Sequence, residues 1–317
     1  MPITLNLKRG IDLPVFQWLR FLPVASAAGA SMCTDVRGTN RFIYMLLGAA
    51  SFWRYDTWTD SYQQLASPPS HSFAAGVSLA FDASRGAEGY VWLSAALAAS
   101  PWHMFAYYDV AANAWTSRAG VTGLAAAFGT DADLCHTCST YNAAGNDDYI
   151  YLIGNNSTTW YRFSITGNSW TAFTGAQLLP AAAGAGCSLI WAFGYNTDRL
   201  YYIRGTATAA LYQFTISTSA WSADTAYGYK FETFAAGTVV AYDSLNRIYI
   251  VKDATHRIYY YQLDENKLYP SGFLPYLSGA AIVGDGFVYI KTLDGAEYLY
   301  YRRHIGTEFW RMLIGWF

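Results

Sequence analysis

Asp148–Trp170 reads DYIYLIGNNSTTWYRFSITGNSW. Tyr149–Ile153 is aromatic and β-branched, the composition of a strand, and Gly154-Asn155-Asn156-Ser157 is turn chemistry. Trp160–Phe163 resumes the strand, Thr166–Ser169 turns again, and Trp170 opens a third strand. This sequence of strand, tight turn, strand, tight turn and aromatic recurs along the chain, so the number of copies decides the fold.

Second strands, here called b, are predicted at Arg41–Met45, Tyr90–Leu93, Tyr149–Leu152, Arg199–Ile203, Arg247–Val251 and Phe287–Ile290. The c strands follow at Phe52–Asp56, Met104–Asp109, Trp160–Phe163, Leu211–Phe214, Ile258–Gln262 and Tyr298–Tyr301. The d strands open at Tyr62, Trp115, Trp170, Trp221, Leu268 and Trp310. A repeat of about 40 to 55 residues with four short strands each predicts an all-β, six-bladed β-propeller of four-stranded antiparallel blades. Segments such as Val77–Phe81, Val239–Tyr242 and Ala281–Gly284 are richer in small residues and are read as the innermost, a strands, crowded around the propeller axis. Asp35, Asp82, Asp243 and Asp285 are read as Asx-turn residues closing a–b hairpins, in preference to metal or substrate ligands. Alternating b-strand side chains should pack on the two neighbouring blades, with the hydroxyls of Tyr44, Tyr151, Tyr202, Tyr249 and Tyr289 reaching the rim.

The c–d segments Tyr55–Tyr62, Tyr108–Trp115, Phe163–Trp170 and Phe214–Trp221 resemble the kelch repeat, in which an aromatic, a turn and a Trp recur at this spacing. The resemblance covers blades one to four closely and blades five and six in outline. It departs from the kelch pattern after strand b, where a Gly-Gly pair is replaced by one glycine, as at Gly48, Gly154 and Gly205. The resemblance implies the propeller fold, and a fold alone does not assign a function.

Residues 1–13 read as an extended N-terminal arm and residues 14–317 as a single propeller domain. A propeller is a circle cut once, and its cut must be held. Val15–Phe21 and Glu308–Met312 are the two candidate edge segments, and Phe21-Leu22-Pro23 echoes Phe273-Leu274-Pro275. The expectation is that N- and C-terminal strands pair at the outer edge of blade six, one of them as an extra outermost strand, covering an apolar edge.

Composition narrows the function classes. Charged residues are 13% of the chain, aromatics 18%, and the net charge is −2 with no basic run, which gives no support for nucleic-acid binding. No apolar stretch has the length of a secretory signal or a membrane span, so no membrane insertion is expected. Cys135-His136-Thr137-Cys138 is half of a zinc site or a dithiol; Cys33 and Cys187 fall on other inner strands. The expectation is free thiols without a metal. His71, His103, His136, His256 and His304 share no ligand spacing, and no nucleophile elbow, phosphate loop or His-Glu-x-x-His motif occurs. The chain is therefore expected to be no enzyme, with neither catalytic nor cofactor- or metal-binding residues. Trp53, Trp58, Trp102 and Trp160 could stack on sugars, but their recurrence blade after blade favours packing.

These features lead to the expectation of a non-enzymatic structural or interaction subunit, resembling the propellers of tailed-bacteriophage tail or head–tail proteins. Its place would be the virion and its partners other virion subunits, docked through Met1–Leu13 and the apolar run Met312–Phe317. The alternative from another class is a carbohydrate-binding propeller that recognises a glycan, such as one on a host surface, through loop aromatics.

Overall fold

The computed structural model describes residues 15–26, 30–35, 38–48, 51–69, 73–97, 103–121, 133–137, 149–154, 156–205, 207–222, 232–252, 255–275, 285–303 and 306–316. Six four-stranded antiparallel sheets form the blades of a propeller. The first strand, β1 (Val15–Trp18), belongs to the last blade. Blade one is β2 (Ser31–Thr34), β3 (Phe42–Leu47), β4 (Ser51–Asp56) and β5 (Ser61–Gln64). Blade two is β6 (Phe73–Asp82), β7 (Tyr90–Leu97), β8 (His103–Asp109) and β9 (Ala114–Arg118). Blade three is β10 (Asp133–Thr137), β11 (Tyr149–Ile153), β12 (Trp160–Ser164) and β13 (Ser169–Ala172). Blade four is β14 (Ser188–Trp191), β15 (Arg199–Ile203), β16 (Leu211–Thr215) and β17 (Ala220–Ser222). Blade five is β18 (Val239–Tyr242), β19 (Arg247–Val251), β20 (Arg257–Gln262) and β21 (Lys267–Phe273). Blade six is β22 (Gly286–Lys291), β23 (Ala296–Arg302), β24 (Phe309–Trp316) and β1.

Closure occurs where the sequence placed it: Val15 pairs with Leu313 and Trp18 with Trp310. Two details differ. The N-terminal strand is the fourth strand of blade six, not an extra one. Every other strand of that blade is also shifted one place inward: Phe287–Ile290 lies in the innermost strand, Tyr298–Tyr301 in the second and Trp310 in the third. Ala281–Gly284 lies outside the described residues. The apolar run from Met312 is consumed as well. Met312 is buried and Ile314 packs on the blade five–six core, so the run is part of a blade. Met1–Leu13 lies outside the described residues.

The alternation along each b strand divides its side chains between two neighbours. Val91, Leu93 and Ala95 pack toward blade one, whereas Trp92 and Ala96 pack toward blade three. Ile248 and Ile250 face blade four; Tyr249 and Val251 face blade six. A separate core therefore fills each of the six blade junctions, including the one between blades six and one. Each large side chain buried there contributes about 1.5–3 kcal/mol. The tyrosine hydroxyls do not reach the rim: Tyr44, Tyr151, Tyr202, Tyr249 and Tyr289 are buried, and Tyr202 donates to the Ala181 carbonyl at 3.2 Å.

The recurrent d-strand tryptophan links blades two, three and four each to the one before it. Indole N–H groups of Trp115, Trp170 and Trp221 donate to the carbonyls of Ala66, Ala119 and Gln177 at 2.7, 2.8 and 3.1 Å. Each acceptor lies just beyond the preceding blade's outer strand. The c–d turns share a second device. Their last residues, Asp60, Asn113, Asn168, Ser219 and Asn266, adopt the left-handed conformation, which Asn and Asp tolerate best. Where the c strand supplies a tyrosine, its hydroxyl donates to that turn residue, as Tyr55 does to Asp60 and Tyr108 to Asn113 at 2.8 and 2.7 Å.

Candidate functional site

The topology gives the disc two unlike faces. The turn face carries the a–b and c–d turns; the crossover face carries the b–c loops and the passages between blades. The inner a–b turns of blades four, five and six present Tyr195, Leu245 and Leu293, which are 42%, 51% and 74% exposed. The inner strands of adjacent blades neighbour one another around the axis, so these turns are neighbours too.

The apolar side chains stand on a rigid base. The Tyr242 hydroxyl donates to the Leu245 carbonyl at 2.7 Å and accepts the Tyr195 N–H at 3.0 Å, so one oxygen holds both exposed residues. Burial, reinforced by Asp243, pushes this phenol far above its ordinary range, and it stays protonated. Phe193 meets the Tyr242 ring edge-on at 5.5 Å. A methyl group at Gly194 would collide with the Ser244 carbonyl, so only glycine lets the two turns approach this closely. Leu293 sits in a turn closed by the Gly295 N–H to Thr292 carbonyl bond at 2.9 Å. A backbone held this way lets the exposed apolar side chains be covered without first ordering the turns, which favours docking.

The turn aspartates are structural, as expected for three of the four. Asp243 accepts the N–H groups of Leu245 and Arg247, Asp82 accepts that of Ser84, and Asp35 accepts those of Arg41 and Phe42. Burial raises the Asp35 carboxyl despite these bonds. Asp285 differs. It precedes the inner strand on the crossover face, where it accepts the Tyr301 hydroxyl beside the buried Arg302. Asp294 fills the a–b turn position of blade six, accepting from the Thr292 hydroxyl.

The thiols and histidines separate in the same way. Cys33 is buried between blades one and two and Cys187 between blades three and four, neither in a disulfide. These two do not converge. Burial, then the charge of Asp35, raises the Cys33 thiol beyond any reactive range. Cys135 pairs with Tyr151 across the strands; Cys138 lies outside the described residues. No cluster of three metal-ligating side chains occurs among the described residues. His103 Nδ1 accepts the Val121 N–H at 3.1 Å, which places the ring proton on Nε2, 2.9 Å from the Ser94 hydroxyl. Burial lowers its pKa to about 4, so it is a neutral tie between strand and loop. His71 and His304 lie outside the described residues.

Of the tryptophans weighed as sugar platforms, Trp160 is fully buried, Trp53 packs on the blade six–one core, and Trp102 lies outside the described residues. Trp58 is exposed. It lies over the Arg41 guanidinium at 4.4 Å, and Arg41 is held by Asp56. Burial pulls the Asp56 carboxyl upward, but bonds from Arg41 and the Trp58 N–H outweigh it and hold the pKa near about 2.

Sequence reasoning did not single out Tyr195, Leu245 or Leu293. The available signal was a large apolar residue in the middle of turn chemistry: Gly194-Tyr195-Asn196, Ser244-Leu245-Asn246 and Thr292-Leu293-Asp294.

No helix among the described residues is long and apolar enough to cross a membrane. No family model matches the chain, and no curated protein does. Solved structures are similar in fold. One is a structural genomics protein of unknown function from Bacteroides thetaiotaomicron VPI-5482, 11% identical, with a TM-score of 0.59 over 93% of this chain and 71% of that one. An auxiliary nutrient binding protein from the same organism is 9% identical, with a TM-score of 0.60 over 97% of this chain and 79% of that one. Its counterpart from Bacteroides ovatus ATCC 8483 is 10% identical, with a TM-score of 0.61 over 95% and 76%. At these identities the likeness establishes the propeller fold alone.

Proposed function

We propose that this chain is a non-catalytic interaction propeller, a subunit that holds a partner on its turn face. The observation that supports this most directly is the set of exposed side chains Tyr195 and Leu245, on turns locked by Tyr242 and Gly194, and Leu293, on the turn closed by Gly295. The buried groups with chemical potential named above are already engaged: His103 ties a loop, Asp35, Asp82 and Asp243 close turns, and burial leaves the Cys33 thiol unreactive. The specific form of this reading is a virion subunit of a tailed bacteriophage, acting among other subunits of the particle. The test is recovery of the chain at fixed stoichiometry in purified particles, with a Leu245→Ser/Leu293→Ser variant in parallel. The variant should melt at the same temperature as the parent and be excluded. Incorporation of the variant at parental level overturns the reading.

A second reading rests on Trp58. An exposed indole face backed by a fixed guanidinium is a platform on which a sugar ring can stack, and two proteins of similar fold are described as nutrient binding. Glycan-array binding that disappears in Trp58→Ala supports it; an empty array removes it.

A further inference from the structure

The exposed carboxylates of the described residues all stand on the turn face: Asp60, Glu88, Asp264, Glu265 and Asp294. Lys267 is the one exposed base on that face among the described residues. None of the five acids is in an ion pair among the described residues. Where they have partners, the partners are neutral. Asp60 accepts from the Tyr55 hydroxyl, Asp264 from the Gln262 amide, Glu265 from the Tyr269 hydroxyl and Asp294 from the Thr292 hydroxyl. The half-buried bases Arg41, Lys291 and Arg247 each stand beside a further acid, Asp56, Glu297 and Asp243. The stretches of these turns outside the described residues, 36–37 and 138–148, carry one arginine and two aspartates in the sequence, so they do not offset the excess. The exposed apolar side chains lie within this acidic field. Asp294 follows Leu293 in the same turn, and Asp264 and Glu265 lie in the outer turn of blade five, whose inner turn carries Leu245.

We propose that the turn face docks a basic, apolar segment of another protein. Its apolar side chains cover Tyr195, Leu245 and Leu293, and its lysines or arginines reach the carboxylates around them. This rests on the interaction reading above and names the chemistry of the partner. The apolar turns by themselves would accept any apolar surface; the carboxylates choose among such surfaces. A nucleic acid or an anionic membrane surface is repelled by them. A second turn face would bring Asp264, Glu265 and Asp294 against acids, the like-charge juxtaposition that suppresses wrong partners. Bases on the incoming segment meet opposite charges that have no ion-pair partner in this chain. Such pairs at an exposed rim speed encounter and fix the choice of partner more than they tighten the contact. They are screened as well, so association weakens as salt shortens the screening length.

Fluorescence anisotropy of the full chain with two labelled synthetic peptides tests this, one of alternating leucine and lysine, the other of alternating leucine and glutamate. The lysine peptide should bind and the glutamate peptide should not. Affinity for the lysine peptide should fall about tenfold or more between ionic strengths of about 0.01 M and 0.15 M, as the screening length drops from about 30 Å to about 8 Å. Leu245→Ser/Leu293→Ser should weaken that binding about tenfold by removing apolar area. Glu265→Lys/Asp294→Lys should weaken it about tenfold at low salt and less at high salt. Circular dichroism melts verify folding, and Tyr195→Ser or Asp264→Lys replaces a variant that fails to fold. A lysine peptide that does not bind, equal binding of the two peptides, or face variants that bind like the parent overturns the proposal. So does self-association of the parent in sedimentation velocity that the leucine variant loses, since a second copy would then occupy the face. In particles, parental incorporation of Glu265→Lys/Asp294→Lys with exclusion of Leu245→Ser/Leu293→Ser removes the basic partner and leaves the interaction reading in place. Parental incorporation of the leucine variant removes the reading itself.

Discussion

The guanidinium of Arg302 donates to the hydroxyl of Ser26, a residue 276 positions earlier in the chain. Both groups are buried on the crossover face, at the junction of blades six and one. Burial lowers the Arg302 pKa to about 10 against the pull of Asp285, so the group remains charged in the interior. The contact extends the closure ladder beyond β1, through the Leu19, Leu22 and Ser26 N–H bonds to the carbonyls of Phe309, Thr307 and Gly306.

Removing the charge takes the cation away from the buried Asp285 carboxylate. Arg302→Met should therefore cost about 3 kcal/mol, in the range for breaking a buried pair from one side. Ser26→Ala should cost about 1 kcal/mol, and the double variant less than the two together. Urea denaturation at neutral pH measures all three. An Arg302→Met midpoint equal to that of exposed Arg257→Met would remove the latch.

His103 predicts a pH dependence with a definite sign. Its folded pKa lies near about 4, below the unfolded value of about 6.5. The unfolded chain therefore binds the proton first as pH falls. Stability should be unaffected by this group above pH 6.5 and decline between about 6.5 and 4, by up to about 3 kcal/mol. His103→Gln, which still offers groups to Ser94 and Val121, should flatten that part of the profile. Parallel profiles for the two proteins across this window would contradict the assignment.

Ser219 occupies a left-handed position with φ of 50°, where blades two, three and five place asparagine. Ser219→Asn should raise stability by about 0.5 kcal/mol, since asparagine adopts this conformation at lower cost. Ser219→Val should lower it by about 1–2 kcal/mol, because a β-branched side chain is strained there. Melting curves of the pair decide it; the same shift in both would show that the turn is not the cause.

Blades one to five were readable in the sequence because their turn chemistry and aromatics recur in phase. Trp115, Trp170 and Trp221 recur because each clamps the preceding blade's outgoing chain. Blade six misled the reading for two physical reasons. Its inner strand carries Phe287 and Tyr289, which fill the junction with blade five, so it looks like a second strand elsewhere. Its a–b turn, Thr292–Gly295, uses the same polar vocabulary as any other turn. The exposed site escaped because single apolar residues in turns carry no periodicity; their neighbourhood exists only once the blades are arranged around an axis.

In five blades the third and fourth strands are joined by a turn; in blade six they are held by hydrogen bonds alone, and both leave on the turn face. This makes the seam directional under mechanical load. Tension between the segments leaving Val15 and Trp316 opens the ladder like a zipper, one pair at a time, from Val15–Leu313 toward Trp18–Trp310. In that geometry each bond bears the full force in turn and yields at low load. The same strands pulled lengthwise would share it. The Arg302–Ser26 contact lies at the far end of the seam and is reached last. A propeller tethered by its termini would thus unpeel from blade six while the other five junctions stayed unloaded.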